Sequence, residues 1–209
     1  MIPAPLGVAG ACALGYVAGS FPSAYVAGRL LRGVDLRTMG SGNLGATNVL
    51  REVGTPAAVT VLIADAAKGW LPVAFVPGLF GADGQPWWHI AVGVAAVLGH
   101  AKPVFLLWRG GGKGVATAAG VFLALAPVAL AVAAGAFTVT VIATRFVSLG
   151  SIVSAAVLPM AVAVLPGARS PVFIASLAVA VFVIWRHRAN IDRLIRGEEP
   201  RFRATRRTS

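Results

Sequence analysis

The feature that most limits this chain is a set of long segments without a single charged side chain. Residues 1–28, 84–101, 114–144, 146–168 and 170–185 contain none, and the run 57–79 is broken only by Asp65 and Lys68. A helix needs about 20 apolar residues to cross a bilayer, and inside lipid the backbone must satisfy its own polar groups, as a helix does. Composition points the same way. Hydrophobic residues are 57% of the 209, charged residues 12%, and the mean hydropathy is +0.82. A soluble domain carries roughly 25% charged residues, so this chain lacks the charge to coat a water-facing surface. Disorder, a coiled coil and a typical soluble enzyme are excluded. The expected fold is all-α, a polytopic integral membrane helical bundle.

Charge sets the sidedness. Lysine and arginine mark cytoplasmic loops. Residues 29–51 hold four arginines and residues 102–113 are basic, whereas 81–88 carry no lysine or arginine and include Trp87 and Trp88, suited to an interfacial belt. Eight of the 18 basic residues are arginines between Arg186 and Arg207. The uncharged run 114–144 is 31 residues long. One crossing there would place that arginine-rich tail outside; two short crossings, bent near Pro127, place it inside. The reading is therefore about seven transmembrane spans, N-terminus outside and C-terminus cytoplasmic, with Arg169 in an outer loop. Residues 1–209 form one membrane-embedded domain with a basic tail, 186–209. No lysine or arginine precedes Arg29, so a secretory signal is not expected. The net charge of +11 beside apolar helices fits a lipid-facing end and not nucleic acid, since no nucleic-acid-binding motif is present.

Polar chemistry concentrates in loops assigned to the cytoplasmic side. Residues 40–51 read Gly-Ser-Gly-Asn-Leu-Gly-Ala-Thr-Asn-Val-Leu-Arg. Glycines let successive N–H groups converge on an anion; Ser41, Asn43, Thr47 and Asn48 add donors, and Arg51 adds a cationic fork suited to phosphate. A polar turn capping the next helix is the plainer alternative, but the density of donors favours phosphate. Residues 109–117, Arg-Gly-Gly-Gly-Lys-Gly-Val-Ala-Thr, put Gly111, Gly112, Lys113 and Gly114 at a helix start, where free N–H groups favour anions. Leu107 stands where a Walker loop needs its first glycine, and Gly114 where it needs Ser or Thr, so nucleotide hydrolysis is not expected. His187 and Asn190, three apart, share a helix face; His187 suits a base or a phosphate donor, although on its own the segment reads more simply as a snorkelling basic helix end.

Other residues read more quietly. Asp65 and Lys68 pair within the second span, as a structural pair or a functional one. Ser148 and Ser151 are ligand donors or caps. His89 is interfacial and His100 a structural hydrogen-bonder. Cys12 stands alone in an apolar run and is packing. No cluster has metal-ligand spacing, so neither metal nor cofactor is expected.

Taken together, these motifs resemble the bacterial acyl-phosphate:glycerol-3-phosphate acyltransferases, the PlsY family. The likeness starts at residues 19–25, Gly-Ser-Phe-Pro-Ser-Ala-Tyr, and runs through 40–51, 65–69, 99–117 and 145–151 to 187–194. Three departures stand out. Lys102 replaces a usual Phe, the path from His100 to Lys113 is one glycine longer, and Ala189 stands where Glu is common. The resemblance implies a seven-span inner-membrane enzyme with a cytoplasmic active site. It implies a pocket lined by Ser41, Arg51, Lys113, Ser151, His187 and Asn190, with His187, Ser41 and Arg51 catalytic. Gly42, Asn43, Thr47, Asn48, Gly111, Gly112 and Gly114 complete the phosphate-binding set, and Ser151 is preferred to Ser148.

The implied reaction moves a fatty acyl group from acyl phosphate to the 1-hydroxyl of glycerol 3-phosphate, giving lysophosphatidic acid and phosphate, the first step of phospholipid synthesis. The expected partners are these substrates and membrane lipids, with the protein a monomer. A small transporter of organic phosphates is the rival reading, but it usually has an internal repeat, and none is found here. A metal-dependent lipid-phosphate transferase would need paired carboxylates, and the seven acidic residues are dispersed.

Overall fold

The computed structural model describes residues 4–167 and 170–202, with side chains placed for 6–165 and 170–202. Arg169 and the tail residues Arg203, Arg206 and Arg207, all singled out by charge, lie outside the described residues. Every regular element among those described is helical: α1 (Ala4–Gly19), α2 (Ser23–Arg32), α3 (Ala46–Glu52), α4 (Thr55–Leu79), α5 (Pro86–Ala101), α6 (Val115–Leu125), α7 (Pro127–Thr144), α8 (Val147–Val162), α9 (Pro171–Arg186) and α10 (Arg188–Ile195). A 3-10 turn spans Val104–Leu106, and α8 continues into a π turn, Ala163–Gly167. The helices gather into two compact units whose boundary in sequence lies between Pro127 and Val128.

Five helical stretches are long and apolar enough to cross a membrane: Leu6–Arg32, Thr55–Leu79, Pro86–Leu106, Pro127–Thr144 and Val147–Leu165. A sixth is the pair α9 and α10, bent by 56°. The uncharged run 114–144 breaks at Ala126, between α6 and α7, with Pro127 at the first position of the new helix, where its missing N–H costs nothing.

The surface is inverted relative to a soluble protein. Ile63, Phe75, Leu79, Val139, Ile142, Met160 and Val181 are exposed, while Ser23, Asn48, Asp65, His100, Ser176 and His187 are buried. Such a distribution is stable only where the solvent is hydrocarbon. Helix α7 illustrates it, with only Ala129 and Ala133 buried. Pro72 and Pro77 sit inside α4, as transmembrane helices tolerate.

Lipid supplies no hydrophobic drive between helices, so close packing must hold them. In the first unit, glycines let backbones touch. On α1, a Cβ at Gly15 would lie 2.7 Å from the Val92 carbonyl oxygen of α5, and one at Gly19 would overlap that of Ala96. Gly99 of α5 answers, meeting the Tyr16 carbonyl oxygen. The α4–α6 crossing repeats the device, with Gly69 against the Thr117 carbonyl and Gly120 against that of Ala66. In the second unit α8 packs on α9, and Gly150 receives Val141 and Phe137 of α7. His89 lies 2.8 Å from both the Val73 and Asp83 carbonyls, closing the turn between α4 and α5.

Gly120→Leu is expected to lower stability by about 1–3 kcal/mol through overpacking. Gly135→Ala, with nothing within 4 Å of the added methyl, should instead stabilise by about 0.4–1 kcal/mol. Thermal unfolding of the detergent-solubilised variants measures both.

Candidate active site

The loop joining α2 to α3 is seated by its apolar residues. Leu36 and Leu44 are buried with Val49, Ala58 and Val61, which leaves the polar positions between them at the surface or partly covered. Asp35 ties its entrance. Its carboxylate accepts Arg37 Nη2 at 2.6 Å, Arg37 Nε at 3.0 Å, the Arg37 amide at 3.0 Å and Arg29 Nη2 at 3.3 Å. Both guanidinium groups lie over the Tyr25 ring. The hydrogen bond from the Arg37 side chain, helped by the Arg37 amide and both arginine charges, holds the Asp35 carboxyl at about 2 against the opposing effect of burial.

Asn48 builds this loop from below. It is 1% exposed. Its Oδ1 accepts the Ser41 amide at 3.1 Å, and its Nδ2 donates to the Leu36 and Met39 carbonyls at 3.3 and 3.1 Å. Its side-chain amide thereby shapes the backbone around Ser41. Gly40 and Gly42 take the left-handed φ values 56° and 68° that this path requires. Ser41 and Arg51 are exposed, while Gly42, Asn43 and Thr47 are half-buried.

The glycine-rich segment lies directly alongside. The Leu44 amide donates to the Gly111 carbonyl at 3.3 Å, and Arg37 Nη1 to the Arg109 carbonyl at 3.4 Å. Gly110 and Gly111 have φ of 101° and 129°, which L side chains rarely adopt. At Gly111 a Cβ would overlap the Ala101 carbonyl, and at Gly112 the His100 imidazole. The Gly112 amide donates to the His100 carbonyl at 3.2 Å. Gly114, at φ 85°, opens α6, whose first-turn N–H groups have no intrahelical acceptor. Lys113 is half-buried just before that end. The first unit thus brings Ser41, Gly42, Asn43, Gly111, Gly112, Lys113 and Gly114 onto two linked loops, with Thr47, Asn48 and Arg51 on α3. The arrangement offers cations and main-chain donors to an anion.

The second unit carries the remaining candidates. His187, 3% exposed, closes α9 and opens α10 at the 56° bend. Its Nδ1 lies 2.8 Å from the Val183 carbonyl, and a ring nitrogen facing a carbonyl must carry the proton. In the neutral ring the lone pair is then on Nε2, the accepting nitrogen. Arg188 lies over the Trp185 ring. Ser151 is buried and donates to the Val147 carbonyl at 2.9 Å; Ser148, also buried, makes no such helical bond.

Glu199 escaped sequence reasoning. It is buried, accepts Asn190 Nδ2 at 2.7 Å and Arg193 Nε at 2.8 Å, and so ties the segment after α10 back to that helix. Burial pushes its carboxyl up, but Ser148, Asn190 and the Arg193 guanidinium together bring it below the ordinary value. Ser148 acts here without completing a full hydrogen bond. The Phe202 amide donates to the Arg145 carbonyl at 2.6 Å, and Arg201 covers the Phe146 ring. The available signal was a pair of glutamates, 198 and 199, inside a tail otherwise dominated by arginine.

A carboxyl depressed in the folded state stabilises it above the unfolded pKa and loses that contribution as pH falls through the folded value. Asp35 should therefore hold its loop at full strength above pH 3.8 and release it as pH drops to about 2. In Asp35→Asn this acid-dependent component of thermal unfolding should be absent. Glu199→Gln keeps the shape and removes the charge; a loss of roughly 1–3 kcal/mol is expected by the same measurement, together with reduced turnover.

A family model described as "Glycerol-3-phosphate acyltransferase" matches residues 9–197. Proteins of that name include one from Prochlorococcus marinus, 44% identical over 190 residues and covering 90% of this chain and 94% of the relative. Another, from Anaeromyxobacter dehalogenans, is 47% identical over 188 residues, covering 90% and 93%. The crystal structure of PlsY (YgiH), an integral membrane glycerol 3-phosphate acyltransferase, in its glycerol 3-phosphate form superposes with a TM-score of 0.86 at 36% identity, covering 94% of this chain and 96% of that one. Its lysophosphatidic acid form gives 0.82 at 34% identity, covering 94% and 95%. The chain belongs to the glycerol-3-phosphate acyltransferase family, and its fold is that of integral membrane PlsY.

Proposed function

We propose that this protein transfers a fatty acyl group from acyl phosphate to the 1-hydroxyl of glycerol 3-phosphate, releasing lysophosphatidic acid and inorganic phosphate. The observation that carries this reading is the Leu44–Gly111 main-chain bond, which sets two glycine loops side by side with Lys113 between them and α6. Both substrates bear phosphate, and amides, Arg51 and Lys113 match that charge. The long acyl chain belongs among the apolar helices. Residues 1–209 are one membrane-embedded domain, and the protein acts as a monomer.

The glycerol hydroxyl attacks the acyl carbonyl carbon directly. The bond from that carbon to the phosphate oxygen breaks, phosphate leaves with the electron pair, and the hydroxyl proton passes to His187 Nε2 or to a substrate phosphate oxygen. Acyl phosphate is already activated, so orientation supplies much of the acceleration. Ser41, Gly42, Asn43, Thr47, Gly111, Gly112 and Gly114 serve the phosphates, Asn48 by shaping the loop around Ser41. Ser151, His187 and Asn190 serve the reacting end.

Basic residues at 29–51, 102–113 and beyond 186 support a C-terminus and an active site on the cytoplasmic face of a bacterial inner membrane, with the N-terminus outside. Seven crossings follow if α6 makes one beside the six longer candidates. Its 11 residues extend about 16 Å, so the bilayer would have to thin or protein would have to line that crossing.

Purified protein in lipid, given glycerol 3-phosphate with palmitoyl phosphate or palmitoyl-CoA, should form lysophosphatidic acid from the phosphate donor only. Product from the CoA thioester, or glycerol 3-phosphate accumulating in vesicles without turnover, overturns the reading. In the same assay, His187→Gln should lower kcat by about 100-fold or more across the pH–rate profile if His187 takes the proton; an unchanged kcat assigns the proton to substrate phosphate.

A further inference from the structure

The reaction derived above leaves one polar cluster of the first unit unused. Asp65, in the middle of α4, is 1% exposed. Its Oδ1 accepts the Ser23 hydroxyl from the start of α2, pairs with Lys68 Nζ at 2.7 Å, and faces His100 Nδ1 at 3.7 Å. Lys68 also donates to the Phe21 carbonyl at 2.8 Å, in the break between α1 and α2. A buried ion pair is a weak source of stability in itself. This pair has a third member, and that member leads out of the cluster.

His100 stands between the carboxylate and the glycine loop. One ring nitrogen faces Asp65; the other lies against Gly112, so closely that a Cβ there would overlap it. The His100 carbonyl also holds the Gly112 amide. Gly112 is therefore gripped from both main chain and side chain of one residue, and Lys113 is the next residue along. A shift of the imidazole moves Gly112, and Lys113 moves with it. The ring's far side faces the Asp65 carboxylate at 3.7 Å.

We infer that Asp65 and His100 are positioning residues: through the His100 ring, the buried Asp65 carboxylate sets where Gly112 and Lys113 present themselves to a substrate phosphate. The inference rests on the proposed transferase reaction for its kinetic readout. In this inference the loop holds the phosphate of one substrate, so the effect is expected to be selective between the two.

Asp65→Asn alone would strand Lys68 in an apolar interior, so the informative variant is Asp65→Asn with Lys68→Met, which removes both charges. This protein, His100→Gln and the triple variant are compared with wild type. The readouts are thermal unfolding, KM for glycerol 3-phosphate and for palmitoyl phosphate, kcat, and amide exchange of residues 110–114. The expected result is a folded double variant whose KM rises about ten-fold for one substrate only, with kcat changed less and exchange in 110–114 faster. His100→Gln should do the same, and the triple variant should be no worse than either, because the two act in series. Wild-type KM values in the folded double variant, equal rises for both substrates, or effects that multiply in the triple variant would overturn the inference. Absence of transfer by wild type would overturn the functional reading instead, and the exchange of residues 110–114 would still decide whether Asp65 and His100 hold the loop.

Discussion

An aspartate and a lysine buried side by side among apolar helices are the constraint on which the first unit turns. Neither charge survives in such surroundings without compensation, and each is compensated by a different element: Asp65 by Ser23 at the head of α2, Lys68 by the Phe21 carbonyl just before it. The start of α2 is thereby fastened to the middle of α4. From α2 the chain enters the loop that Leu36 and Leu44 seat and that Asp35 and Asn48 shape. A charge pair deep in one helix thus reaches the polar rim through ordinary covalent continuity, while His100 offers a second route to the neighbouring loop.

Much of the architecture was legible because bilayer physics leaves few options. Uncharged runs became helices, and the overlong run divided beside Pro127, whose ring, lacking an N–H, begins a helix at no cost. Gly114 opened α6 as the glycine string implied. The number of crossings was less legible, because α6 is too short to be judged by length and apolarity alone.

Individual roles within the site were harder to read. Asn43 and Asn48 look alike in a string of donors, yet Asn48 turns its whole side-chain amide to the loop backbone while Asn43 stays half-exposed. A side chain that holds a loop and one that holds a ligand need the same chemistry, so residue type cannot separate them. Glu199 was missed for a related reason: an acid in a basic tail resembles a solvated charge until folding carries it under α10 to Asn190 and Arg193. His100 was read as structural, and its bond to Gly112 fits that, but its place between Asp65 and the glycine string depends on α4 and α5 packing together.

The bond from Leu44 to Gly111 is made by main chain on both sides. Side-chain identity at residue 44 therefore matters only for filling space, and many apolar replacements would leave the bond intact. Chain length is another matter. One residue inserted or deleted between residues 42 and 46 would turn the Leu44 amide away from its acceptor and separate the two loops, even with every polar group present. Among relatives, this stretch should drift freely in its apolar letters while refusing gaps.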